Sequence, residues 1–410
     1  MTPIATPERP GRSGVEVGFL PVGRLHNLDM LSGLAAVAVL CAHAAILGSS
    51  QIAPVVSDVP SLLSHLGSTS VWLFFVISGF VISRPFIGSL LEGGNLPGMR
   101  SYARKRASRI YPLYWLSASA ALAFVGWRGA GTLAKPAHLL LLHNLVPGRS
   151  HKFIAVSWTL TIEMVFYIAV PIGAWLVHRA ARRRPVSADS LAGIVLVGWA
   201  TVIVYLAAVP FAIETQSTRL WLREVFPAVA GMFAPGILLA IAFSAPPTSR
   251  IVRVFRRLRD RPTAVLVAAI AFCALGASLA SIDLGPPTMA TNLAAWDLSR
   301  HAYAVGYGLL VTWAAVIPRW SFRGVGVLEY LGDVSYGVYL IHGTLLMIYL
   351  GNPGVVPMFG EGGLVVYAVH LAFLAGTTLP LAAISWRWLE EPLVRWARRP
   401  STDRTVAVRV

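Results

Sequence analysis

The sequence predicts an all-α fold, a polytopic integral membrane bundle of about ten transmembrane helices. Three observations carry that expectation. Of the 410 residues, 56% are hydrophobic and only 13% are charged, roughly half the charge of an ordinary soluble domain. Several apolar runs reach the ~18–20 residues that cross a hydrocarbon core. Lysine and arginine gather in alternate connections between those runs, at 100–109, 179–184, 250–261 and 395–409. This alternation fits an even number of spans with both termini in the cytoplasm. It also explains the net charge of +16 without nucleic acid as a partner. The ten-residue alternating segments of a transmembrane barrel do not occur.

The elements follow in order. Spans are expected near 28–48, 67–88, 111–127, 155–177, 191–212, 226–244, 263–281, 301–318, 326–349 and 364–389. The stretch 133–147, LAKPAHLLLLHNLVP, is apolar but short and broken by Pro136, so it reads as interfacial or re-entrant. Residues 1–27 are polar with no apolar h-region and read as a cytoplasmic tail, not a cleaved signal. Residues 28–396 form the transmembrane domain and 397–410 a short basic cytoplasmic tail, with no soluble domain expected at either end. Cys41 and Cys273 both lie in apolar runs and are expected as free thiols. No internal repeat marks the inverted halves of many transporters.

Ionisable groups in mid-span are expensive, and each is a functional hypothesis. Glu163 is the one carboxylate expected well inside a span; His43 and His342 are the mid-span histidines. His370, nearer an outer end, reads as a packing residue. At ~1.5 Å per helical residue, His43, Glu163 and His342 lie about 7, 12 and 10 Å inside the outer ends of three different spans. They form one polar cluster if those helices are neighbours. Asp29, Ser32, Ala36 and His43 share one face of the first span. That face either turns to the bundle interior or lines a path from the cytosol.

A second constellation is basic. YARKRASRIYPLYW places Arg106 and Arg109 three residues apart, on one face of a helix, with Arg84 at the end of the preceding span. Guanidinium forks suit phosphate, but a positive-inside anchor on anionic lipid fits as well. The cluster at 253–261 is read as such an anchor. No G-x-S-x-G elbow, Walker A, H-E-x-x-H or C-x-x-C occurs. His138, His143 and His151 are loosely spaced with no acid nearby, and no metal is expected.

Taken together, these segments resemble the membrane acyltransferase family 3, whose members transfer acyl groups to sugars on antibiotics, lipopolysaccharide and other glycans. NLDMLSGLAAVAVLCAH is similar to the family's first-helix motif, with Asp29 and His43 in register. VWLFFVISGFVIS is similar to the second-helix motif. RASRIYPLYW carries the R-x-x-R as Arg106 and Arg109, followed by Ile110 and Pro112. SWTLTIEMVFY supplies Trp158, Glu163 and Tyr167; LGDVSYGVYLIH supplies Ser335, Tyr336, Tyr339 and His342; WRWLEEP supplies Glu390 and Pro392. One position departs: eleven residues before the histidine, where the family usually has Arg or Lys, stands Ser32. The extra periplasmic domain of some members is not expected here.

The resemblance implies an O-acyltransferase of a bacterial inner membrane. His43 would be the general base that takes a proton from an acceptor hydroxyl attacking a thioester. Glu163 is expected to orient the imidazole as the third group of a triad does, with His342 doing the same or binding substrate. The co-substrate would be acyl-coenzyme A, with no bound cofactor and acetyl as the group transferred. Its phosphates would sit on Arg106 and Arg109 with Arg84, and Asp29, Ser32, Tyr336 and His342 would support the site. The acceptor would be a hydroxylated glycan or glycosylated small molecule. Two other classes remain open on the residues alone: a proton-coupled transporter or flippase of a glycan or glycolipid, and a structural or sensor protein.

Overall fold

The computed structural model describes residues 25–48, 59–126, 134–146, 154, 156–212, 216–281, 289–351 and 363–399. Both expected tails, apart from residues 25–27 and 397–399, lie outside these residues. The first half contributes α1 (His26–Gly48), α2 (Val59–Glu92), α3 (Met99–Val125), α4 (Ala134–Leu139), α5 (Ser157–Ala180) and α6 (Ala188–Ala212). Next come α7 (Gln216–Glu224), α8 (Phe226–Val229), α9 (Ala234–Ser244), α10 (Arg250–Arg259), α11 (Pro262–Ala280) and α12 (Met289–Val316). The last are α13 (Val325–Asp333), α14 (Ser335–Gly351), α15 (Gly363–Ser385) and α16 (Glu391–Arg398). No strand occurs among the described residues.

Seven described helical segments are long and apolar enough to cross a membrane. An eighth is added if Val325–Asp333 and Ser335–Leu350, bent by 65°, count as one span. The chain is therefore an all-α, multi-pass membrane protein. The expected number of about ten is not reached by length and apolarity, for a physical reason. α3 and α12 have the length, 27 and 28 residues, but each carries charge: the Arg104–Arg109 cluster in one, Asp297 and Arg300 in the other. The span expected at 301–318 begins twelve residues earlier, at Met289. The one expected at 326–349 breaks at Val334. The stretch at 133–147 folds as α4 and a short 3₁₀ turn, His143–Leu145.

α1 sits at the centre, packed against α2, α12, α13, α14 and α15. Helices in lipid associate by close packing rather than by hydrophobic expulsion, so small residues mark the crossings. Gly67 of α2 lies against Ala38 and Ala42 of α1, and Gly236 of α9 against the Val76 carbonyl of α2. The first turn of α1 is clamped by Asn27. Its Nδ2 donates to the Ala314 carbonyl at 2.9 Å, and its Oδ1 accepts from the Trp320 amide at 3.0 Å. This places the start of α1 beside the end of α12. Hydroxyls within the helices bond one turn back. Ser32, Ser70, Thr312 and Thr344 each donate to the carbonyl four residues earlier, as a medium without water requires. Four of the five arginines of α10 are exposed on a helix whose Ile251 and Val252 are buried, a surface helix with a basic outer face.

Gly236→Leu should destabilise the bundle, because its Cβ would collide with the Val76 carbonyl. Overpacking of this kind costs ~1–3 kcal/mol. Gly198→Leu on α6, which meets nothing within 4 Å, is the neutral comparison. Unfolding midpoints in detergent should fall for the first and not the second.

Candidate active site

The two mid-span histidines meet. His43 on α1 and His342 on α14 have ring centroids 5.0 Å apart, tilted by 58°. Each ring is held from its own helix: His43 Nδ1 is 2.9 Å from the Val39 carbonyl and His342 Nδ1 is 2.9 Å from the Val338 carbonyl. A carbonyl only accepts, so in both rings Nδ1 carries the proton. The lone pair of each neutral ring is therefore on Nε2. His342 is fully buried and its Nε2 has no hydrogen-bond partner among the described residues. Two Nε2 acceptors on adjacent helices are an arrangement suited to receiving a proton.

Glu163 on α5 takes a different part from the expected one. Its Oε1 accepts from the Ser78 hydroxyl at 2.7 Å and from the Tyr167 hydroxyl at 2.6 Å. Among the described residues no hydrogen bond links it to His43. The imidazole is oriented instead by the Val39 carbonyl, because a backbone acceptor four residues back is already in reach of Nδ1. Glu163 faces a cavity of about 180 Å³, whose polar wall includes Ser32, Ser78, Arg109, Thr159, Tyr336 and Tyr339. That is below the ~300–1,000 Å³ of whole small-molecule sites, so its room is for a fragment of a ligand at most. Tyr339 joins the cavity to the histidines: its ring stands edge-on to His342 at 5.7 Å, and its hydroxyl is 2.7 Å from that of Thr159.

The three candidate arginines diverge. Arg109 enters the cavity wall, between the rings of Tyr336 and Trp386 at 5.8 and 5.2 Å. Its polar contacts are long: 3.5 Å to the Asp333 carbonyl and 3.8 Å to Glu390 Oε2. A guanidinium has five N–H donors, so capacity remains for an anion. Arg106 lies on the other side of Tyr167, over the rings of Tyr102 and Tyr167, in a largely apolar groove of about 700 Å³ between α3 and α5. Arg84 stacks on Phe243 at 3.9 Å and lines neither space. Tyr336 donates to the Ile110 carbonyl at 2.7 Å, tying α14 to α3 beside Arg109. Ser32 lines the cavity. Asp29 lies a turn away, its backbone against Gly332 of α13.

Sequence reasoning missed two sets of charges. Glu390 was part of a motif but had no role; it is buried, accepts from Ser385 at 2.9 Å and faces Arg109. Arg223, Asp297 and Arg300 fall between the expected spans in sequence, yet all three are buried. Arg223 Nη2 is 2.7 Å from Asp297 Oδ2 and Arg300 Nη1 is 3.7 Å from Asp297 Oδ1. The signal available was the i,i+3 pair Asp297–Arg300 itself.

A family model described as an acyltransferase domain matches residues 25–387. The chain belongs to that family, acyltransferase family 3, and is an acyltransferase. It is similar to the exopolysaccharide production protein ExoZ of Rhizobium meliloti (strain 1021), 28% identical over 81% of this chain and 91% of that protein. It is also similar to the acyltransferase MdmB of Streptomyces mycarofaciens, 26% identical over 54% of this chain and 58% of that protein. No solved structure matches it.

Asp297→Ala should destabilise the protein strongly. It strands two guanidiniums in the interior, and breaking a buried pair costs ~3–5 kcal/mol. A shift in unfolding free energy below about 1 kcal/mol would show the cluster to be solvated instead.

Proposed function

We propose that this chain is an inner-membrane O-acyltransferase that moves an acyl group, acetyl in the simplest case, from acyl-coenzyme A to a hydroxyl of a glycan or glycosylated product. The observation that carries the reading is the His43–His342 pair, each ring held through Nδ1 and separated from a polar cavity by Tyr339. In this reading all ten long hydrophobic elements cross the membrane, α3 and α12 included. The basic clusters then mark the cytoplasmic side, with both termini there. The similarity to the exopolysaccharide production protein of Rhizobium supports a polysaccharide-related acceptor.

The step balances as follows. The acceptor hydroxyl oxygen attacks the thioester carbonyl carbon while His43 Nε2 takes its proton. The tetrahedral intermediate collapses and the carbon–sulfur bond breaks. The leaving thiolate recovers the proton from the imidazolium, which yields the ester and free coenzyme A. His342, one ring away, shares the developing charge. Glu163 is a positioning residue: it holds Tyr167 and Ser78 in the cavity wall. The 180 Å³ cavity accommodates the acyl end of the donor. The anionic end stays near Arg109, with Arg106 in the adjoining groove. Ser32 brings no charge to this cavity, and Arg109 in the same wall supplies it.

His43→Ala should lower turnover by about 10²–10⁴-fold, read as acceptor-dependent release of free coenzyme A from purified protein. Turnover within tenfold of wild type would remove His43 from the chemistry. Arg109→Ala should raise the donor KM by roughly tenfold, the worth of a charge-assisted hydrogen bond, with little change in the acceptor KM. Mass spectrometry of host extracts with and without the gene identifies the acceptor by its missing acyl mass.

A further inference from the structure

In the proposed reading the cavity beside Glu163 takes the acyl end of the donor, and its volume of about 180 Å³ leaves no room for an acceptor as well. A second cavity of about 420 Å³ adjoins it, within the ~300–1,000 Å³ of small-molecule sites. Val71 of α2 lines both spaces. The second cavity also lies level with the histidines. Gly67 packs on Ala42, next to His43, and Gly343, next to His342, packs on Val156. The residues just beyond these contacts, Ser68 and Trp158, line the second cavity.

Its walls are aromatic and its edges polar. Trp72 and Trp158 meet edge to face at 6.2 Å. Trp296 stands half exposed at 47%, and Tyr303 is fixed by a 2.6 Å hydrogen bond to His65. Arg300 lies between Trp72 and Trp296, 5.6 and 5.7 Å from their rings. It is nine-tenths buried, donates to the Arg223 carbonyl at 2.9 Å, and its Nε has no hydrogen-bond partner among the described residues. The buried ion cluster thus fixes the aromatic wall.

This chemistry selects among ligands. A lipid chain needs a continuous apolar wall, and this one is interrupted by Arg300 and His65. A phosphate needs surplus positive charge, but Asp297 and the lining residue Glu224 offset Arg223 and Arg300. A neutral pyranose fits: its C–H face packs on an aromatic ring and its hydroxyls meet the polar edge. We infer that this cavity is the acceptor subsite, holding a neutral pyranose that presents one hydroxyl past Val71 to the thioester. The inference rests on the acyl-transfer reading and names its acceptor class.

The test is saturation-transfer NMR on the full chain in lipid nanodiscs, with methyl β-D-glucopyranoside and methyl β-D-galactopyranoside as probes. Ring protons of at least one glycoside should be saturated by the wild type and by His43→Ala alike. The signal should fall by about fivefold or more in Trp296→Ala, recover in part in Trp296→Phe, and stay unchanged in Trp388→Ala, a tryptophan 79% exposed elsewhere. No saturation with either glycoside, or equal signals in Trp296→Ala and Trp388→Ala, would overturn the assignment. If His43→Ala keeps its transfer rate while the Trp296-dependent signal persists, the chemical reading fails and the sugar site stands.

Discussion

The bond from His43 Nδ1 to the Val39 carbonyl is the contact on which the site depends. In a medium without water, an imidazole on a helix finds its own backbone before anything else. That bond fixes the tautomer, turns Nε2 away from the helix and removes the need for a carboxylate partner. His342 makes the same bond to Val338, so two helices hold their imidazoles alike, with ring centroids 5.0 Å apart. A serine–histidine–carboxylate relay uses a buried acid to do what the carbonyls do here. The nearby acid, Glu163, is left to order the hydroxyls of Ser78 and Tyr167.

Charge is handled by local neutralisation. Asp297 sits between Arg223 and Arg300, and Glu390 faces Arg109. Each acid brings together elements far apart in sequence: α7 with α12, and the closing segment with α3. Buried ion pairs are weak sources of stability but intolerant of losing one member. Their effect here is geometric. One pair sets the position of Arg109 in the cavity wall. The other seats Arg300 between two tryptophans. The two cavities meet at Val71, and the groove on the α3–α5 side meets the first at Tyr167.

Much of this was legible in the sequence. Apolar runs identify spans because length and composition are what hydrocarbon selects. His43, His342 and Glu163 stand out because an ionisable group in such a run has few uses, and their similar depths follow from helical rise. The basic constellation was legible as residues but not as a site. Arg106 and Arg109 share a broad helix face, yet Tyr167 from α5 comes between the spaces they line.

What the sequence by itself determined is the all-helical bundle and the three ionisable groups, His43, Glu163 and His342, set within its apolar runs. Helix rise and apolar length are properties of one segment, so one segment reveals them. Only the tertiary structure decided which groups meet: His43 with His342 rather than with Glu163, Arg109 with Glu390, and Asp297 of α12 with Arg223 of α7. In TNLAAWDLSR the charges look like a loop, because the guanidinium of Arg223 that permits their burial comes from another element. Neutralisation is a property of pairs, and pairs are set by how the helices pack.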